Sequence, residues 1–135
     1  MNNIDVKRVI SPVSVADTTA QVGTVVDGQG FGSVTYIIAT GSIADADATF
    51  TVLLEESDAS GSGFAAVADA DLLGTEVLAA FQFDDDNECR KLGYIGSKRY
   101  TRMTITPVAN ASAALLSAVA VLGSPAIAPT ANPPA

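Results

Sequence analysis

The sequence has no histidine and no tryptophan, and Cys89 is its one cysteine in 135 residues. Without histidine there is no imidazole base, no Ser-His-Asp relay and no histidine metal ligand. One cysteine can form neither an intrachain disulfide nor a cysteine zinc cluster, so we read Cys89 as a small apolar filler. These absences remove many catalytic chemistries, and we expect no enzyme, no catalytic residue, no metal and no cofactor.

Charge is also scarce, at 16% of the residues against about 25% in an average domain. Seven bases against fifteen acids give a formal net charge of −8, which disfavours binding to nucleic acid or to an anionic membrane surface. The apolar runs fall short of the roughly 20 residues that cross a bilayer, and Met1 to Ile10 lack the apolar core of a signal peptide. We therefore expect a soluble protein made in a reducing cytoplasm.

What the sequence does contain is a strand pattern. Ser33–Thr40, Thr49–Glu55 and Tyr100–Thr106 alternate between two faces and are rich in β-branched and aromatic residues, which is typical of half-buried strands. Weaker strand candidates are Ile4–Ile10, Gln21–Val26, Val77–Phe83, Cys89–Tyr94 and Leu115–Leu122. Six to eight short strands separated by turns predict an all-β fold, an antiparallel β-sandwich or jelly roll. Strand spacing does not distinguish a jelly roll from an immunoglobulin-like strand order.

The two ends of the chain differ from its middle. Residues 123–135 hold four of the six prolines, Pro125, Pro129, Pro133 and Pro134, and no charged side chain. Proline lacks the amide donor that a central strand needs, so this segment is either a disordered tail or an extended arm lying along a neighbouring subunit. We therefore divide the chain into an N-terminal arm (1–11), a β-sandwich domain (12–122) and a proline-rich C-terminal arm (123–135).

Acids and bases are segregated along the sequence. Twelve of the fifteen acids lie between Asp45 and Glu88, whereas five of the seven bases lie just after them: Arg90, Lys91, Lys98, Arg99 and Arg102. These bases are either ordinary solvated side chains or a patch that contacts acidic surfaces on copies of the chain or on a partner. On the second interpretation, the predicted partner interface consists of these five bases and both terminal arms, with Pro125, Ile127 and Pro129 as the contact residues of the C-terminal arm.

The acids themselves carry no strong catalytic or metal signature. Asp84–Glu88 lacks the spacing and the glycine of a calcium-binding loop, so solvated turns are the better interpretation. Glu55 and Glu56 are adjacent on a strand and point to opposite faces, so they cannot act together on one bond.

Four segments resemble a known family. Val52–Asp58, Asp71–Glu76, Leu92–Pro107 and Ala118–Pro125 are similar to short proteins encoded in the head-gene clusters of tailed bacteriophages and prophages. The most distinctive stretch is Gly93–Tyr100 (GYIGSKRY). The resemblance implies a virion structural protein, and within that class a small head decoration protein, also called a capsid cement or stabilisation protein.

That resemblance carries further expectations. Such proteins bind the outside of the major capsid protein lattice, as homodimers or homotrimers, and stabilise the expanded head. They are made in the host cytoplasm and end on the outer surface of the virion. Two alternatives stay open: a head–tail adaptor or tail structural protein, and a carbohydrate- or cell-surface-binding β-sandwich module.

Overall fold

A computed structural model of the chain describes residues 2–134, and almost all of its regular structure is strand. The strands are β1 (Ile4–Val15), β2 (Gln21–Val22), β3 (Val26–Asp27), β4 (Phe31–Ile43), β5 (Thr49–Ser57), β6 (Ala65–Ala66), β7 (Leu72–Leu73), β8 (Phe81–Gln82), β9 (Cys89–Tyr94), β10 (Tyr100–Val108) and β11 (Ala114–Pro125). A 3₁₀ turn spans Asp69–Asp71, and a single-turn helix, α1, spans Glu76–Ala79. In this described part of the chain, neither helical segment has the length and apolarity to span a membrane.

The strands form two antiparallel sheets. Sheet A has the order β1-β11-β4-β9-β7, and sheet B has the order β2-β10-β5-β6, with β3 also paired to β10 and β8 to β5. When β2 is counted with β3, β6 with β8, and β7 is set aside as an extra edge, the eight positions read 1-8-3-6 and 2-7-4-5. That is the order of a jelly roll. The predicted all-β sandwich is confirmed, and the strand order resolves the choice that spacing left open.

The core lies between the inner faces of the two sheets. Every second residue is buried from Val34 to Thr40 in β4, from Phe50 to Leu54 in β5 and from Thr101 to Pro107 in β10. Tyr36, Leu54 and Met103 have no exposed surface. β11 supplies small side chains at the same period, among them Ala118 and Ala120. Alternation over this length is a strand property, and it explains why the alanine-rich segment of β11 is a strand and not a helix.

The N-terminal segment differs from the prediction. Residues 4–11 are not an arm but the first part of β1, which pairs with β11 from Ile4↔Gly123 to Val15↔Ala114. Val9 and Ile10 are both buried beside a break in this register. The apolar content of the segment is used inside the domain, because burying it there removes more apolar surface from water than an extended arm would.

Two other segments have less strand than predicted. Gln21–Val26 forms only β2 and the first residue of β3, with Gly23 between them donating its amide to the Met103 carbonyl at 2.8 Å. Val77–Phe83 is divided between α1 and β8. Helix α1 begins where the Thr75 hydroxyl accepts a hydrogen bond from the Leu78 amide, a local cap that competes with strand formation.

Candidate functional site

The five bases of the predicted interface do not lie on one surface element. Arg90 and Lys91 are on β9 in sheet A, Lys98 and Arg99 are in the loop that follows, and Arg102 is on β10 in sheet B. The loop crosses from one sheet to the other. The cluster in the sequence is therefore divided between both sheets of the sandwich.

Two of these bases hold the loop to neighbouring acids. Lys98 Nζ lies 2.5 Å from Asp58 Oδ2, and this carboxylate raises the pKa of the Lys98 ammonium group. Arg99 forms a bidentate contact with Asp27: its Nε donates to Oδ1 at 2.9 Å and its Nη2 donates to Oδ2 at 2.7 Å. The guanidinium holds the pKa of the Asp27 carboxyl below its ordinary value. Each charge is balanced by an acid of its own chain.

The other two arginines are balanced in the same way. Arg102 contacts Glu55 Oε1 at 3.0 Å on the outer side of sheet B, and its guanidinium carbon lies 4.2 Å from the centre of the Phe64 ring. Arg90 contacts Asp85 and Glu88 at 2.5 and 3.2 Å. The acid-rich and base-rich halves of the sequence thus pair within the molecule.

The acidic segment Asp84–Glu88 forms a turn that is held by several hydrogen bonds. Asp85 accepts the Gln82 amide, and Asp86 accepts the Ile43 amide. The buried Thr40 hydroxyl donates to the Asp85 and Glu88 carbonyls and accepts the Glu88 amide at 3.0 Å. These acids fix the connection into β9.

The C-terminal segment folds back on its own chain. Pro125 closes β11 opposite Phe31, and the Thr130 amide donates to the Asn2 carbonyl at 2.9 Å. The Thr130 hydroxyl donates to the Ile4 carbonyl. Ile127 and Pro129 are exposed, Ile127 by 84% of its surface. The contact of this segment with a neighbouring subunit stays a prediction.

The outward side of sheet A is a surface that the sequence pattern did not single out. We call it the sheet A face. Its outward side chains follow from the strand registers and the alternating burial: Val6, Arg8, Thr35, Ile37, Ala39, Leu73, Cys89, Lys91, Leu115, Ser117, Val119 and Val121. None of these residues is acidic, and seven of the twelve are apolar even when Cys89 is not counted among them.

One row of the sheet A face carries both of its charges. Arg8 is opposite Val119, Val119 is opposite Ile37, and Ile37 is opposite Lys91, so four strands contribute one residue each. Three strand spacings of about 4.8 Å separate the backbone positions of Arg8 and Lys91 by about 14 Å. The row has a cation at each end and two branched apolar side chains between them.

Arg8 and Lys91 also differ from the other bases in their partners. Within residues 2–134 neither one forms an ion pair, whereas the five other bases each lie within 4.0 Å of an acid. The Arg8 guanidinium donates to the Ser11 hydroxyl at 2.6 Å, which leaves its charge unbalanced. Among residues 2–134, the basic side chains without an ion pair therefore both lie on the sheet A face.

Away from this row, the sheet A face holds a shallow groove. It has a volume of about 360 Å³, lies at one end of the face and is lined by Pro12, Gly41, Leu115 and their neighbours. Gly41 is covered by Leu115, since a Cβ there would lie 2.8 Å from the Leu115 Cβ. Cys89 is exposed on this face, so the interpretation of it as a core filler is wrong.

A second polar cluster lies at the opposite end of the sandwich. The Tyr94 hydroxyl donates to Glu56 Oε2 at 2.5 Å and accepts the Lys98 amide at 2.9 Å. Burial, helped by the Glu56 carboxylate, raises the pKa of Tyr94 well above its ordinary value. A pocket of about 130 Å³ next to Tyr94 is lined by Gly28, Gly96 and the start of β4. The tyrosine ties the loop carrying Lys98 and Arg99 to sheet B.

Part of the sheet A face is visible in the sequence. In Ser33–Thr40 the alternate set Thr35, Ile37 and Ala39 is as uncharged as the inward set, which signals a strand with two apolar sides. Arg8 gives no such signal. Its place in the row depends on the pairing of β1 with β11, which are more than 100 residues apart.

No protein-family model and no curated protein matches the chain. Solved structures to which it is similar include the CBM22-1 and GH10 modules of Clostridium thermocellum xylanase 10B complexed with xylohexaose, at 10% identity and a TM-score of 0.48. That alignment covers 97% of this chain and 30% of the other. The CBM22-1 xylan-binding domain of a Paenibacillus barcinonensis xylanase is similar at 13% identity and a TM-score of 0.41, over 93% and 88% of the two chains. A structure of Bacillus endospore appendages, described as disulfide-linked pili, is similar at 9% identity and a TM-score of 0.42, over 91% and 90%. Likeness of this degree assigns neither a ligand nor a partner.

Proposed function

We propose that this chain is a non-enzymatic structural protein of a tailed-phage particle, which binds the outside of the major capsid protein lattice and stabilises the expanded head. The observation that carries the proposal is the sheet A face, a mostly apolar and acid-free sheet surface with two unpaired cations on an acidic domain. Apolar surface of this kind on a small domain is typical of a protein-binding site. The resemblance of Leu92–Pro107 and three other segments to phage head proteins supplies the partner.

The rigidity of the sandwich suits such a role. Five of the seven bases are held by acids of the same chain, and the C-terminal segment is fastened to the start of the chain through Thr130 and Asn2. A preorganised surface loses little conformational entropy on docking. Each copy that contacts more than one capsid subunit adds stability to the shell, and many copies together multiply the effect.

The stabilisation needs no chemistry. A protein that binds the expanded shell and not its precursor shifts the equilibrium towards the expanded form by its differential affinity. A protein with a net charge of −8 has little affinity for DNA, so on the outside of the shell it does not compete with the capsid protein for the packaged genome.

The test is co-sedimentation of the purified protein with capsid shells of the phage that encodes it, prepared without this protein. We expect saturable binding to expanded shells, weaker binding to unexpanded shells, and a higher temperature of shell disruption when the protein is bound. Absence of binding to expanded shells would refute the proposal.

Copy number in the virion separates decoration from the adaptor alternative. Hundreds of copies per particle indicate decoration, whereas six or twelve indicate a connector or tail ring. The proposal includes homodimers or homotrimers on the lattice. A density map of the intact particle would show both the copy number and the oligomeric state.

The carbohydrate-binding alternative depends on exposed rings that stack on sugars. Tyr36 and Tyr94 are buried, and half-buried Tyr100 has the Arg99 guanidinium 4.9 Å from its ring centre. The tyrosines therefore offer no free platform. Specific hits on a glycan array would nevertheless favour that alternative over capsid binding.

A further inference from the structure

We infer that the sheet A face is the docking surface, and that it fits a protein surface whose apolar centre is flanked by carboxylates about 14 Å apart. This inference rests on the proposed function, because the partner surface is assigned to the major capsid protein. The sequence-based prediction places the contact on Arg90–Arg102 and both terminal arms. The sheet A face shares Lys91 and the segment that carries Arg8 with that prediction, and leaves out Lys98, Arg99, Arg102 and the C-terminal arm.

The charge pattern decides between possible occupants. Arg8 and Lys91 end the row on β1 and β9, with Val119 and Ile37 between them. A second copy docked face to face offers no carboxylate to Arg8 or Lys91, because the outward side chains of the sheet A face include no acid. With the two rows superposed it would set cation against cation, which disfavours the contact. An acid-flanked apolar surface on another protein matches both the charges and the apolar centre.

The pairing of the other bases strengthens this choice. Lys98, Arg99 and Arg102 already contact Asp58, Asp27 and Glu55 of their own chain. Recruiting them to a partner would mean exchanging one carboxylate for another, with little gain. Arg8 and Lys91 pair with no acid in the described part of the chain, so a partner carboxylate adds attraction without loss of an ion pair seen there.

The face also carries its own reporter. Cys89 on β9 lies opposite Ala39 on β4. This pair is the next outward row after Ile37 and Lys91. It is exposed and is the single cysteine of the chain. A docked partner covers this thiol, so the rate of its reaction with a maleimide measures occupancy of the face without any mutation.

The experiment compares variants of the full chain on expanded shells prepared without this protein. Arg8→Gln/Lys91→Gln removes both flanking charges, and we expect at least about tenfold weaker binding. The control Thr49→Glu/Thr51→Glu makes the same change in net charge on the outer side of sheet B, where both threonines are exposed. We expect it to bind within about threefold of the wild type, since rim charges far from a contact are screened. Circular dichroism confirms that each variant is folded.

A third variant, Lys98→Gln/Arg99→Gln, separates the two candidate surfaces. If it loses binding while Arg8→Gln/Lys91→Gln binds normally, the inference is overturned and the predicted basic stretch is the interface. It is also overturned if bound wild-type protein leaves Cys89 as reactive as it is in free protein. A free wild-type dimer in which Cys89 is already protected would assign the face to a second copy. Wild-type protein that does not bind shells at all refutes the proposed function, and this inference falls with it.

Discussion

The hydroxyl groups of Tyr36 and Thr101 meet at 2.6 Å in the interior and connect β4 of sheet A with β10 of sheet B. Tyr36 is completely buried and Thr101 is 2% exposed. Burial raises the pKa of Tyr36, which therefore stays neutral across the physiological range. This polar contact ties one sheet to the other at a fixed register, which apolar packing alone specifies less sharply.

Replacing Tyr36 by phenylalanine tests how much the hydroxyl contact contributes to the free energy of unfolding. Tyr36→Phe leaves the Thr101 hydroxyl buried without its partner, and we expect the free energy of unfolding to fall by about 1–3 kcal/mol. Tyr100→Phe is the control. Its ring is half-buried and we expect a change within about 0.5 kcal/mol. Urea denaturation measures both, and equal effects would contradict the assignment.

The double variant Tyr36→Phe/Thr101→Val gives a sharper result. Removing both hydroxyls leaves no orphaned donor or acceptor, so we expect the double change to cost less than the sum of the two single changes. Additive costs in the same urea experiment would show that the two hydroxyls do not interact.

The contact between Asp27 and Arg99 makes a prediction about pH. Arg99 lowers the pKa of Asp27 in the folded chain, so the pair contributes stability above the ordinary aspartate pKa and loses it as the pH falls through the lowered value. NMR titration of the Asp27 carboxyl should give a pKa below 3.8. In Arg99→Met the pKa should move back up. An Asp27 pKa that is unchanged by this substitution would exclude the guanidinium as its cause.

At the scale of elements, Gly23 marks the point where the connection between β2 and β3 lies against both β1 and β10. A Cβ at this position would lie 2.6 Å from Val9 Cγ1 and 2.7 Å from the Met103 carbonyl oxygen. The Thr24 amide also donates to the Val9 carbonyl at 3.0 Å. The edge of sheet A and the edge of sheet B are joined here by backbone, with room for no side chain.

Gly23→Ala should therefore be costly. The added methyl meets backbone oxygen as well as a side chain, and we expect a loss of about 1–3 kcal/mol in the free energy of unfolding. Gly61→Ala is the matched control, because a Cβ added at Gly61 would have no atom within 4 Å. There we expect no loss, or a small gain from the less flexible unfolded chain. Thermal unfolding followed by circular dichroism would detect the difference, and similar melting temperatures would contradict the close crossing.

At the scale of the whole molecule, the C-terminal segment contributes little to the fold. Residues 126–129 and 131–134 are exposed. Thr130 contacts Asn2 and Ile4, and the Ala126 amide donates to the Gly30 carbonyl at 2.8 Å. Deleting residues 126–135 should leave the jelly roll folded and lower the free energy of unfolding by less than about 2 kcal/mol, since solvent-accessible hydrogen bonds are individually weak. Urea denaturation of the shortened chain checks this. A larger loss would make the segment part of the domain and not an appendage.

Local pattern is sufficient for the strands but not for their order. Alternation places β4, β5 and β10 correctly because each strand exposes one side and buries the other along its own length. The jelly-roll order depends on which distant strands pair, and no local pattern encodes that β11 lies between β1 and β4. The prediction of an N-terminal arm at residues 1–11 is wrong over residues 4–11 for the same reason.

The candidate site follows the same rule. The five clustered bases are found by counting, yet four of them are neutralised by acids of the same chain, some distant in sequence, such as Asp27 for Arg99 and Glu55 for Arg102. No pattern places Arg8 in a row with Lys91, although it lies in the predicted N-terminal arm and next to Lys7. It becomes part of a row only after β1, β11, β4 and β9 have come together.

The position of β11 has a consequence for how the molecule opens. Among the strands of residues 2–134, β11 alone pairs with β1, and it also pairs with β4. A fluctuation that frees β11 from both neighbours must release β1 as well. β1 can detach with β11 still paired to β4, once its contacts with Thr24 and Thr130 are also lost. Amide hydrogens of β1 should consequently exchange with deuterium at least as fast as those of β11, and an agent that clamps the outward row across both strands should slow exchange in the two together.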